Sequence, residues 1–86
     1  MTPEHVKTLL RTAFQEKDLI SLVVESDDQV HFEACIVSQC FEGQTKLKRQ
    51  QRVYAALGDL IATGAIHALA LKTYTSEEFK RLNSEG

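Results

Sequence analysis

The chain has 86 residues, 43% hydrophobic and 26% charged, with ten basic and twelve acidic side chains for a formal net charge of −2. That composition describes one ordinary globular domain with a modest core, and it excludes a disordered segment or a pair of domains. A net negative balance argues against a general nucleic-acid binder, whose affinity rests on clustered positive charge, but leaves room for a local basic patch.

In chain order, Thr2-Pro3-Glu4-His5 reads as a helix start, with Thr2 as cap and Pro3 suited to the first helical position. Val6, Leu9, Leu10, Ala13 and Phe14 recur at helical spacing, so the expectation is an amphipathic helix that ends near Lys17. Leu19 to Glu25 is rich in aliphatic and β-branched residues and reads as a strand. Ser26-Asp27-Asp28-Gln29 is a turn cluster. From Val30 to Ser38 the pattern alternates, with Val30, Phe32, Ala34 and Ile36 on one face and His31, Glu33, Cys35 and Val37 on the other, which completes a hairpin.

Gln39 to Thr45 reads as a loop. The helical period returns from about Leu47 to Ala62, with Val53, Leu57, Leu60 and Ile61 on the buried stripe and Tyr54 beside it. Gly64 suits the left-handed position after the helix. Ile66 to Tyr74 is a second apolar strand. Thr75-Ser76-Glu77-Glu78 then offers a cap and first-turn acids for a short helix through Asn83. The order is α-β-β-α-β-α. The strand–helix–strand segment from Val30 to Tyr74 should cross over right-handed, making its strands parallel, with two helices backing a three-stranded mixed sheet on one face.

The chemical inventory is short. It holds no CxxC, HExxH, GxGxxG or Walker loop, and Ser21, Ser26 and Ser38 lack a nucleophile's context, so an enzyme is not expected. Met1-Thr2-Pro3-Glu4 lacks the marks of a signal peptide, and no apolar run approaches the ~20 residues that span a bilayer. Two cysteines, Cys35 and Cys40, are too few for a disulfide framework. A cytoplasmic protein with reduced thiols and no membrane association is the expectation.

His67 opens an apolar strand. Its plainer reading is a hydrogen-bonded structural residue, and its sharper one is an imidazole ligand where a strand leaves the core. His31 follows the hairpin turn and is either a plain exposed strand residue or a second ligand at the same sheet end. One tension stands between them: His31 alternates away from Phe32 and Ile36, whereas His67 alternates in step with Leu69 and Leu71, so twist or a bulge must bring them together. Cys35 reads as packing, Cys40 as an exposed loop thiol and His5 as solvated. No tetrahedral metal site can be assembled from this set alone, although two ligands plus a partner's two can hold a shared centre. Lys46, Lys48, Arg49 and Arg52 place four cations in seven residues, either as a solvated helix face or as a contact for phosphate, nucleic acid or an acidic partner.

The stretch from Val37 to Leu57, in which Phe41-Glu42-Gly43 leads into Lys46-Leu47-Lys48-Arg49-Gln50-Gln51-Arg52-Val53-Tyr54, resembles the central motif of the BolA family. Ile66-His67-Ala68-Leu69-Ala70-Leu71-Lys72-Thr73-Tyr74-Thr75 resembles the family's second signature, which contains its characteristic histidine. The Lys48-Arg49-Gln50-Gln51-Arg52-Val53-Tyr54 wording, with His31-Phe32, most closely resembles the IbaG-like subgroup. The resemblance runs from Val6 to Phe79. It implies the class II KH-like α/β fold, in agreement with the order read above, and a non-enzymatic role in stress response: a partner of monothiol glutaredoxins that shares a [2Fe–2S] cluster for iron–sulfur trafficking or iron and redox regulation. The glutaredoxin cysteine and a glutathione thiolate then supply ligands on one side, while His67 and His31 supply the other, a histidine pair comparable to a Rieske-type iron. The isolated chain is expected to carry no cofactor and to be a monomer or a weak homodimer. Two departures stand out: Gln50 and Gln51 occupy the basic segment where many relatives have histidine, and Phe79 stands where relatives often have tryptophan.

The alternative is a KH-like DNA-binding transcriptional regulator that uses the basic segment 46–52. KH domains clamp the backbone with a GXXG loop, and Gly43-Gln44-Thr45-Lys46 lacks the second glycine.

Overall fold

The first helix, α1 (Pro3–Ala13), begins as its sequence dictates: the Thr2 hydroxyl accepts from the His5 N–H at 3.2 Å, and Pro3 needs no partner for the N–H it lacks. The computed structural model describes residues 2–14 and 17–84. Helical spacing carried α1 to near Lys17, but it ends at Ala13. Phe14 is extended (φ −101°, ψ 127°) and buried, and Ala13, assigned by spacing to the buried stripe, is exposed. Leaving the helix lets the Phe14 ring meet Phe41 edge-on, with centroids 5.5 Å apart and planes at 77°. Residues 15 and 16 of the expected helix lie outside the described residues.

Strand β1 (Leu19–Glu25) pairs antiparallel with β2 (His31–Ser38), and β2 pairs parallel with β3 (Ala68–Tyr74), in the order β1-β2-β3. The strand after the long helix begins at Ala68, two residues later than its apolar run suggests. Between β2 and the helix, the expected loop holds a 3₁₀ turn, Gln39–Phe41, capped by the Ser38 hydroxyl. Phe41 is fully buried there, and Cys40 is half-buried against the core, not an exposed loop thiol.

Helix α2 (Lys46–Ala62) starts on a Thr45 cap and ends before Gly64, whose φ of +81° is the left-handed conformation that glycine adopts without strain. Helix α3 (Ser76–Ser84) starts with a capping box: the Glu78 N–H donates to the Thr75 hydroxyl at 3.2 Å, and the Thr75 N–H donates to the Glu78 carboxylate at 2.8 Å.

Val6 and Leu10 of α1, Val53 and Leu57 of α2, and Phe32 and Ile36 of β2 close one core on one face of the sheet. The short α3 brings Phe79 toward the other face, where its ring lies 6.0 Å from Tyr74 and where Val37 is also fully buried. The order α-β-β-α-β-α with a mixed three-stranded sheet is the architecture that the family resemblance implies. Among the described residues, no helix is long and apolar enough to cross a membrane.

A crossover that makes β2 and β3 parallel places their first residues at the same end of the sheet, with His31 opposite Ala68.

Candidate functional site at the histidine pair

His31 and His67 converge at that shared end. Their ring centroids lie 6.2 Å apart, with planes at 58°, and both residues are exposed. Strict alternation would put His67 on the helix-covered face, but His67 precedes the regular strand. Its N–H and that of Ala68 both donate to the Val30 carbonyl, at 2.8 and 3.3 Å. Two successive donors on one acceptor break the pleat, so the His67 side chain is freed from the period that governs Leu69 and Leu71.

His31 is held from the hairpin turn. Asp28 accepts the Val30 N–H at 3.0 Å and the His31 N–H at 2.8 Å on one carboxylate oxygen, and meets His31 Nδ1 at 2.6 Å with the other. The backbone N–H of His31, then that of Val30, then the His31 ring hold the Asp28 carboxyl far below its usual range. A carboxylate only accepts, so His31 Nδ1 carries the proton, and in the neutral ring Nε2 keeps its lone pair. Ser26 completes the turn: its hydroxyl donates to the His31 carbonyl at 2.7 Å and accepts the Gln29 N–H at 2.9 Å, with Gln29 itself at φ 64°. The sequence marked this segment only as a turn, and Asp28 was missed as a partner of the site. The signal available was an Asx residue three positions before a strand-opening histidine.

The His67 ring makes no hydrogen bond to the described residues; its ring contact is with His31. It borders a mainly apolar groove of about 360 Å³ lined by Tyr54, Gly58, Ile61, Ile66 and Leu69. On its other side, His31 borders an open depression with Glu25, Ser26 and Asp27.

The donor set suits a metal centre shared with another molecule. Metal–imidazole bonds of about 2.0–2.1 Å, added to the ring's own radius, let each centroid stand about 3 Å from an ion, so the pair lies at the outer edge of common reach. No hydrogen bond to the described residues fixes the His67 ring at that separation. Among the described residues, no group of three or more His, Cys, Asp or Glu side chains is placed to hold a metal ion. Cys35 lies four residues along β2, opposite Lys72, and its burial pushes the thiol pKa up. Cys40 is beyond the far end of the strand, and its sulfur lies 3.0 Å from the Ser38 hydroxyl.

The basic run divides, and here the expectation of one solvated or phosphate-facing surface is corrected for Arg49. Arg49 is 5% exposed. Its guanidinium donates to the Gln44 carbonyl at 3.1 Å, the Thr73 carbonyl at 3.2 Å and the Glu78 carboxylate at 2.8 Å. Lys46 donates to the same Thr73 carbonyl at 2.9 Å and lies over the Tyr74 ring. Arg52 stacks over Phe14 from the surface, and Lys48 is exposed.

A family model of BolA-like proteins matches residues 15–78. The chain belongs to the BolA family. It is 41% identical over 56 residues to the acid stress protein IbaG of Escherichia coli (strain K12), covering 65% of this chain and 67% of that relative. It is 35% identical over 89 residues to the DNA-binding transcriptional regulator BolA of the same strain, covering 95% of this chain and 83% of the relative. Among solved structures, a BolA protein homologue from Coxiella burnetii matches with a TM-score of 0.78 at 40% identity, covering 94% of this chain and 99% of the other.

Proposed function

We propose that this BolA-family chain is a non-enzymatic partner of a monothiol glutaredoxin, with which it shares a [2Fe–2S] cluster in iron–sulfur trafficking or iron and redox regulation. The observation that carries the reading is the meeting of two exposed imidazoles at one sheet end, one of them oriented by a carboxylate. His67 and His31 would hold one iron through ring nitrogens, and the glutaredoxin cysteine and glutathione would hold the other. The cluster supplies electron storage and a visible chromophore. The chain's own part is to present two imidazole nitrogen donors and, beside His67, a mainly apolar groove. A reducing compartment, the cytoplasm, suits two thiols left unpaired.

Mixing the chain with a monothiol glutaredoxin, glutathione, iron and sulfide is expected to give a heterodimer whose visible spectrum differs from that of the glutaredoxin homodimer. His67→Ala is expected to remove that difference. A spectrum unchanged by the substitution overturns the ligand assignment.

A second reading, DNA binding through the basic segment, is favoured by the name of one relative as a DNA-binding regulator. Burial of Arg49 leaves Lys48 and Arg52 to carry it, with Lys46 partly engaged. If it holds, Lys48→Ala with Arg52→Ala weakens duplex binding and flattens its salt dependence by about two phosphate contacts. Absence of duplex binding at low salt in a gel-shift assay removes this reading.

A further inference from the structure

We propose that Asp28 is a positioning residue for the histidine pair, fixing His31 as the preset ligand while His67 is the arm that moves to meet the metal. This rests on the reading in which His31 binds the cluster.

The geometry that supports it is asymmetric. His31 is anchored twice by the same side chain: Asp28 takes its backbone N–H at 2.8 Å and its ring Nδ1 at 2.6 Å. The backbone bond fixes where the residue starts, and the ring bond fixes how the imidazole turns. Together they leave one rotamer and one neutral tautomer, with the Nε2 lone pair directed away from the carboxylate. Asp28 is itself held against rotation, because its first oxygen also takes the Val30 N–H at 3.0 Å and lies 3.4 Å from the Ser26 hydroxyl. His67 has no such anchor among the described residues. Its backbone is pinned to Val30, but its ring is not.

A turn built only to reverse the chain needs the two backbone bonds that Asp28 accepts. It does not need the second oxygen on the imidazole. That extra bond is what a metal-binding histidine requires of its outer partner: it selects the nitrogen that ligates and makes it more basic. The pair is thus divided into a rigid half and an adaptable half. This suits a centre assembled with another molecule, since the adaptable half can absorb the partner's approach.

Asp28→Asn is the informative variant. The amide oxygen still accepts the Val30 and His31 N–H groups, so the turn is kept. The amide nitrogen, now in place of the second oxygen, is a donor and cannot receive a proton from Nδ1. The ring therefore moves its proton to Nε2, the nitrogen that must be free. In the isolated chain, ring ¹⁵N chemical shifts at pH 8 are expected to show His31 protonated at Nδ1 in the native sequence and at Nε2 in Asp28→Asn, with His67 unchanged. In the glutaredoxin mixture, the same variant is expected to weaken cluster retention by about 10–100-fold against a chelator, with His31→Ala giving no further loss on top of it. Ser26→Ala, which loosens the turn but keeps the carboxylate, is the control and should leave the His31 tautomer as it is.

An unchanged tautomer in Asp28→Asn overturns the positioning role whatever the cluster does. A switched tautomer with full cluster retention overturns the link between that role and the metal. A switched tautomer in a chain that forms no heterodimer spectrum even with native residues counts against the glutaredoxin reading and leaves the hold of Asp28 on His31 standing.

Discussion

Phe14→Ala is expected to lower unfolding stability by about 3–5 kcal/mol, the range for emptying a fully buried aromatic site. Phe14 is 1% exposed and gives Phe41 an edge-on ring, a contact worth about 0.5–1.5 kcal/mol of that loss. Against a domain total of about 5–15 kcal/mol, such a change removes about a fifth of the stability or more. Ala13→Lys, one residue earlier, is expected to stay within about 0.5 kcal/mol, because Ala13 is exposed at the helix end. Urea titrations of both variants at neutral pH make the comparison. A large loss for Ala13→Lys would mean that the helix runs on and buries that position.

This pair of residues shows where sequence reading stops. Apolar spacing tests whether a side chain falls on a stripe, and Phe14 passes that test equally well from a helical or an extended backbone. What ends α1 is a tertiary partner, Phe41, located 27 positions away in the chain. The elements with local signals were legible: the Thr2 and Thr75 caps, the Ser26–Gln29 turn, the β2 alternation and the left-handed Gly64 all follow from short-range chemistry. The parallel pairing of β2 with β3 was legible too, through the handedness of crossovers.

The candidate site was legible in its members more than in its geometry. His31 and His67 stand out in a chain with so few ligating side chains, and a shared sheet end follows from the topology. Period-two alternation nevertheless set them on opposite faces. The resolving detail is the paired donation of His67 and Ala68 to Val30, a break in the ladder that leaves no residue signature. Asp28 was hidden differently: its turn role explains it fully, so nothing in the sequence demanded a second one. Its ring contact with His31 is a fact of side-chain rotamers.

Arg49 was hidden by its neighbours, since a run of cations reads as a solvated face until one of them proves buried. Its partner Glu78 lies on α3, and the two define the second large effect. Glu78→Ala is expected to cost about 3 kcal/mol, because it strands a guanidinium that is 6% exposed and also removes the acceptor for the Thr75 N–H. Arg49→Met is expected to cost only about 1 kcal/mol. It keeps the apolar stem, leaves a Glu78 side chain that is 39% exposed and can hydrate, and leaves Lys46 bonded to the Thr73 carbonyl. The double variant should be more stable than Glu78→Ala alone, since it removes the stranded charge. Equal costs for the two single changes would contradict the dominance of charge burial. The same contact sets an acid dependence. The Arg49 guanidinium, and then the Thr75 N–H, lower the Glu78 pKa from its ordinary 4.5 to about 2. A depressed carboxyl pKa contributes stability that is fully present above its unfolded value and is lost as pH falls through the folded one. Native chain should therefore lose stability between about pH 4.5 and pH 2 that Glu78→Gln never had, and the two melting curves should converge at the acid end of that window. Parallel curves across it would show that Glu78 titrates as a free carboxyl and that the pair contributes nothing to holding α3 on the sheet.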